Sequence, residues 1–117
     1  MQTVIETRSY LTQAKAKAEG MTATEMRAVV DVVAANPEIG ELIVGSGGCR
    51  KVRIAGKGKG KSGGYRIVTF YSGKIAPTFL LAVLAKGSRE TFSDAEVNEM
   101  AKISKTLVAS LGRLALG

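Results

Sequence analysis

The sequence contains no histidine, no tryptophan and a single cysteine, Cys49. Each absence removes a class of chemistry. Without imidazole, a transition-metal centre loses its commonest ligand and a nucleophile loses its usual base. One thiol forms no internal disulfide, so Cys49 is read as a small half-buried strand residue. Three phenylalanines and three tyrosines leave little from which to build a base-stacking platform. Long apolar runs are also missing. The longest, Phe79 to Ala85, ends at Lys86 and falls far short of the roughly 20 residues a membrane span requires. Met1 to Arg8 mixes Thr, Glu and Arg with apolar residues and is not read as a secretory signal. The expectation is a cytoplasmic protein with no membrane association. Its 117 residues suit one domain, 1–117, and 45% apolar residues supply a core.

Negative charge is absent over a long tract. From Leu42 to Arg89 there is no Asp or Glu, yet the tract holds ten cations: Arg50, Lys51, Arg53, Lys57, Lys59, Lys61, Arg66, Lys74, Lys86 and Arg89. All ten acids and the other seven cations lie outside it, so the middle carries +10 and the flanks −3. Uncompensated charge repels itself and weakens folding, so such a concentration points to an anionic partner. Nucleic acid is the commonest match. A solvated basic face is the plainer alternative.

Periodicity gives the elements. Gln2 to Glu6 reads as a short strand or a frayed start. Tyr10, Leu11, Ala14 and Ala18 suit a short helix from Ser9 that stops at Gly20. Thr22 and Glu25 form a capping-box pattern for a second helix, with Met26, Val29, Val30 and Val33 on one face. Asn36-Pro37 ends it, because the residue before proline is pushed out of the helical region. Cys49 to Ala55 alternates as a strand, and Tyr65 to Tyr71 forms another. Pro77 opens a third strand, Thr78 to Ala85, apolar on both faces and therefore interior to its sheet. Ser93 and Glu96 repeat the capping box before a last helix with Val97, Met100, Ile103, Ser104, Leu107, Val108 and Leu111 on one face. The expected fold is α+β: a small antiparallel sheet packed against N-terminal helices, with a C-terminal helix.

The loop from Gly56 to Gly64 imitates two nucleotide-binding motifs. Gly60-Lys61-Ser62 looks like the end of a P-loop, and Gly58, Gly60 and Gly63 match the dinucleotide fingerprint. Both motifs must lead into a helix whose N-terminal amides hold phosphate. Here Gly63-Gly64-Tyr65 leads into a strand, and no Asp is near to hold a metal. Both readings fail. With carboxylates away from the basic tract, a two-metal nuclease site is not expected either.

A purely cationic site does suit one reaction. RNA carries its own nucleophile, the 2′-hydroxyl beside the scissile phosphate. Arginine matches two phosphoryl oxygens with a planar fork that stays charged. A lysine can move protons if neighbouring cations bring it from about 10.4 to about 7, which takes roughly 4.6 kcal/mol of repulsion and desolvation. A crowd of cations without an acid is the environment for that. The competing reading is that the lysines only contact backbone phosphates.

The runs Gly47-Gly48-Cys49-Arg50-Lys51-Val52-Arg53 and Gly58-Lys59-Gly60-Lys61-Ser62-Gly63-Gly64-Tyr65-Arg66-Ile67-Val68 resemble the RelE/HigB branch of type II toxin-antitoxin toxins. The apolar strand ending Leu84-Ala85-Lys86 and the terminal helix continue the likeness, which spans roughly Asn36 to Leu107. The resemblance implies a toxin that cleaves messenger RNA on the ribosome without metal or cofactor. It also implies a cognate antitoxin, expected as a small helix-turn-helix protein. By the same resemblance the catalytic cations fall on Arg66, Lys51, Arg53 and Lys86, with Arg66 stabilising the phosphate and Lys51 and Arg53 orienting substrate or moving protons. Arg50, Lys57, Lys59, Lys61 and Arg89 would bind RNA. Some RelE members place a tyrosine just after the last strand, where this chain has Lys86, Gly87, Arg89 and Phe92. Whether Tyr65, Tyr71 or Phe92 fills that role stays open. The alternatives are a ParE-like gyrase inhibitor of the same fold and a non-catalytic RNA-binding module.

Overall fold

A computed structural model describes residues 3–15, 21–54, 65–73, 76–84 and 92–116, with side chains as far as 111. Strand β1 (Val4–Glu6) leads into helices α1 (Arg8–Lys15) and α2 (Ala23–Ala35). Strands β2 (Glu41–Leu42), β3 (Cys49–Ile54), β4 (Tyr65–Phe70) and β5 (Thr78–Leu84) follow, and α3 (Asp94–Leu116) closes the chain. The predicted positions of Ala18 and Gly20 lie outside the described residues.

The five strands form one sheet in the order β1-β5-β4-β3-β2. The pairs β2–β3, β3–β4 and β4–β5 are antiparallel, as short connections require. Strand β1 pairs with β5 in parallel, so the sheet is mixed. The chain between β1 and β5 runs through two helices and three strands, ample length for a crossover. Strand β5 is interior, as its two apolar faces predict. Strand β2 has only two residues, too few to show a period in the sequence.

Each sheet face carries its own core. On the first face Val52, Ile67 and Leu80 meet Tyr10, Ala14, Val29 and Val33 from α1 and α2. On the second face Cys49, Val68, Phe70, Phe79 and Leu81 meet Val97, Met100, Leu107 and Leu111 from α3. A register shift between Val68 and Thr69 lets Leu81 and Ala82 both serve the second face. Burying side chains of this size contributes roughly 1.5–3 kcal/mol each. Along α3 the true core stripe is Val97, Met100, Ser104, Leu107 and Leu111. Ile103 and Val108, expected on that stripe, flank it at 37% and 50% exposure.

The helix ends follow their local chemistry. Thr22 and Glu25 close a reciprocal capping box, and Ser93 and Glu96 close another. Asn36 caps the C-terminus of α2 immediately before Pro37. Thr7 joins sheet and helix: its hydroxyl donates to the Leu80 carbonyl at 2.7 Å and accepts the Tyr10 amide at 3.3 Å.

A buried polar knot fixes α3 to the β2–β3 turn. The Ser104 hydroxyl donates to the Ser46 carbonyl at 3.0 Å, and its oxygen lies 3.3 Å from the Cys49 thiol. Ser46 in turn donates to the Ile43 carbonyl at 2.6 Å and accepts the Cys49 amide at 2.9 Å. Cys49 is fully buried rather than half-buried. Burial pushes its thiol above the ordinary range, against the opposing pull of Ser104 and Ser46.

Candidate active site

Pairing of β3 with β4 brings three of the four expected catalytic residues onto one face. Arg53 and Arg66 are direct cross-strand partners. Lys51 pairs with Val68 one step further along the same face, since residues two apart in a strand point the same way. The pleat also gives that face Cys49, so the three cations extend the second sheet face beyond the core that α3 covers. Directly opposed residues place their Cβ atoms about 4.5–5.5 Å apart, and same-face neighbours along a strand sit about 7 Å apart. Arg53 is exposed, while Arg66 and Lys51 are half-buried. On its other side Arg66 faces Leu84, at the end of β5.

The remaining expected residues separate into two groups. Arg50 turns to the opposite face, where its guanidinium donates to the carbonyls of Glu38 at 3.0 Å and Gly40 at 3.3 Å. It secures the loop that leads into β2, a task its place in a basic run does not reveal. Lys57, Lys59, Lys61, Lys86 and Arg89 lie outside the described residues. The segment holding the first three joins Ile54 to Tyr65, which are themselves paired, next to Arg53 and Arg66.

The aromatic candidates for the missing tyrosine occupy three different places. Tyr65 is opposite Ile54 and packs against the first core, on the far face from the cations. Tyr71 follows the other end of β4. Phe92 packs against the second core. Tyr65 and Phe92 serve packing in this structure.

An acid from β2 enters the site. Glu41 is the cross-strand partner of Lys51, and its Oε1 lies 3.7 Å from the Lys51 ammonium. The expectation of cations without a neighbouring carboxylate therefore does not hold at Lys51. Glu41 stands one position before the acid-free tract, and a two-residue strand left no pattern to place it. Gly40 supplies the missing signal. Its φ is +96°, and a Cβ there would stand 2.5 Å from the Lys51 carbonyl. Only glycine lets β2 approach β3 so closely.

Among the described residues, no group of three His, Cys, Asp or Glu side chains gathers to hold a metal. No helix among them is long and apolar enough to cross a membrane. What the face offers chemically is fixed positive charge in a planar-fork geometry, suited to phosphate oxygens. Comparison with protein-family models matches residues 8–114 to the RelE toxin of the RelE / RelB toxin-antitoxin system. With that match over nearly the whole chain, and the mixed sheet between helices agreeing with it, the protein belongs to the RelE toxin family of toxin-antitoxin systems.

Proposed function

We propose that this toxin is a ribosome-dependent endoribonuclease that cleaves messenger RNA without a metal ion. The observation that carries the reading is the cross-strand pair Arg53–Arg66 with Lys51 on the same face. In the reaction, the 2′-oxygen bonds to the adjacent phosphorus as its proton passes to a water molecule. The P–O5′ bond then breaks, leaving a 2′,3′-cyclic phosphate, and the departing 5′-oxygen takes a proton from water. Negative charge builds on the two non-bridging oxygens between these steps. Two guanidiniums side by side are complementary to that charge, and they bind it more tightly than the ground-state phosphodiester. Arg66, half-buried between β3 and β5, takes the phosphate-stabilising role, and the exposed Arg53 orients the strand. Lys57, Lys59 and Lys61, on the segment that joins the two strands, grip the RNA backbone; Arg89 adds to this grip, and Lys86 completes the site.

Membership of the family implies an antitoxin partner. We take that partner to be a small helix-turn-helix protein acting in the cytoplasm, where ribosomes present the substrate.

The test is cleavage of messenger RNA on programmed ribosomes by the parent protein and by Arg66→Ala. The variant is expected to fold normally and to lose at least a hundredfold in rate, the scale of removing one oxyanion donor. Equal cleavage by the variant refutes the assigned site. Intact messenger RNA with a DNA-damage response on expression would favour gyrase inhibition instead. Ribosome binding without any cleavage would leave a binding module.

A further inference from the structure

Strand β5 changes register partway along, and helix α1 is fastened to it on both sides of that change. Leu81 is the extra residue: Val68 pairs with Ala82 and Thr69 with Leu80, so Leu81 has no partner in the β4–β5 ladder. Continued from Thr69–Leu80 without the shift, the ladder would set Arg66 opposite Val83. With the shift, Arg66 faces Leu84. A one-residue slip turns every side chain beyond it to the other face. Val83 would then leave the first core, against which it packs, for the face that carries the cations. Strand β1 covers the outer edge of β5 as far as Leu80. Beyond that point α1 takes over. The Thr7 hydroxyl donates to the Leu80 carbonyl at 2.7 Å just before the bulge. Gln13 Oε1 accepts the Val83 amide at 2.8 Å just after it. The two spans match: from Thr7 to Gln13 a helix rises about 9 Å, and from Leu80 to Val83 a strand advances about 10 Å.

We infer that Gln13 is a positioning residue of the cationic site: with Thr7 it braces the β5 bulge from its outer edge and so holds Leu84 opposite Arg66. This rests on the nuclease reading given above. Tyr10 and Ala14 turn the buried stripe of α1 onto the first core. Gln13 is exposed and stands beside that stripe, with its side-chain carbonyl reaching the edge of the sheet. The amide it accepts belongs to Val83, one residue before the partner of Arg66. Directly opposed residues place their Cβ atoms about 4.5–5.5 Å apart. Leu84 therefore flanks Arg66 on one side as Arg53 does on the other. Bulges beside active sites re-aim side chains, and this one selects the residue that stands next to Arg66. Loss of the Gln13 acceptor leaves the Val83 amide to water and lets the end of β5 shift.

The experiment compares the parent with Gln13→Met, which keeps the length but accepts no such bond, and Gln13→Glu, which keeps the acceptor. For each protein it reads amide exchange at Val83, the Nε–H resonance of Arg66, the urea midpoint and ribosome binding. It also reads single-turnover cleavage of messenger RNA on saturating programmed ribosomes. Gln13→Met is expected to speed exchange at Val83 about threefold to tenfold, the scale of one hydrogen bond, and to slow cleavage by a similar factor. It should shift the Arg66 resonance and change binding less than about twofold, because the brace acts on geometry and touches no RNA. Gln13→Glu should stay within about twofold of the parent in exchange and in cleavage, since its carboxylate accepts the same amide. A bond that serves stability alone would lower the urea midpoint in Gln13→Met yet leave the Arg66 resonance and the cleavage rate unchanged. That result overturns the inference. So does a Gln13→Glu variant as slow as Gln13→Met, or unchanged exchange at Val83. A parent that cleaves nothing refutes the nuclease reading instead, and exchange at Val83 with the Arg66 resonance still decides whether Gln13 braces the bulge.

Discussion

Arg53 and Arg66 face each other across the β3–β4 ladder, two permanent positive charges in directly opposed positions. Like charges so placed destabilise a sheet by about 0.2–1 kcal/mol. A pair of threonines or an opposite-charge pair would suit the fold better. The hairpin keeps the arginines at the end where Ile54 and Tyr65 close the ladder and the basic connecting segment begins. The cost is small, and under the proposed function a phosphate bound between them would offset it.

Salt dependence measures that recovery. If Arg53 contacts a phosphate, Arg53→Ala flattens the log–log plot of RNA affinity against salt by about 0.7, the single-strand value for one lost contact. An unchanged slope would remove Arg53 from the RNA interface. Because the residue is exposed, the thermal midpoint of the variant should stay within a degree or two of the parent.

Gly40 tests the attachment of β2. Alanine there meets a positive φ and places its Cβ 2.5 Å from a backbone carbonyl, so something must shift. Gly40→Ala is expected to destabilise the protein by about 1–3 kcal/mol in urea titration. Full stability in the variant would mean that β2 is not held as described.

Much of this architecture was legible from local chemistry. Both capping boxes, the stop at Pro37 and the three hairpin strands follow from short-range rules, and the structure has them where those rules place them. The shared face of the candidate cations was legible in part through strand alternation, which puts Lys51 and Arg53 on one face before any pairing is known. What the sequence hid depends on register. Arg50 is one residue from Lys51 in a basic run, and only the pleat sends it to the other face to bind the 38–40 loop. Glu41 lies ten residues from Lys51 and meets it because Gly40 permits a close approach. Ser104 shares the helical spacing of the apolar residues around it, and nothing local shows that its partners are Ser46 and Cys49.

That buried knot gives a stability prediction. Ser104→Ala leaves the Ser46 carbonyl without its donor inside the protein. An unsatisfied buried acceptor costs about 1–3 kcal/mol, which should lower the urea midpoint without altering the slope. The same variant should open access to Cys49. In the parent, a thiol that is fully buried and pushed up by that burial should react with a disulfide reagent only as fast as the protein opens. Rapid labelling of the native parent would contradict the packing of α3 on this turn.

Tyr10 offers the last test, in alkali. Its side chain is fully buried in the first core, and its hydroxyl has no hydrogen-bond partner among the described residues. Burial, and secondarily the negative charge of Glu6, push the phenol up to about 12 from its ordinary 10.0. The unfolded chain therefore loses this proton first as pH rises. Below about pH 10 both states hold it and stability does not depend on it. Between about 10 and 12 the unfolded state binds fewer protons than the native state, so stability falls as pH rises. Tyr10→Phe removes both the titration and the cost of burying an unpartnered hydroxyl. It should raise the urea midpoint at neutral pH by the equivalent of about 1 kcal/mol and flatten the loss of stability between pH 10 and 12. A variant less stable than the parent at neutral pH would show that the hydroxyl has a partner, and alkaline unfolding unchanged by the substitution would place the responsible group elsewhere.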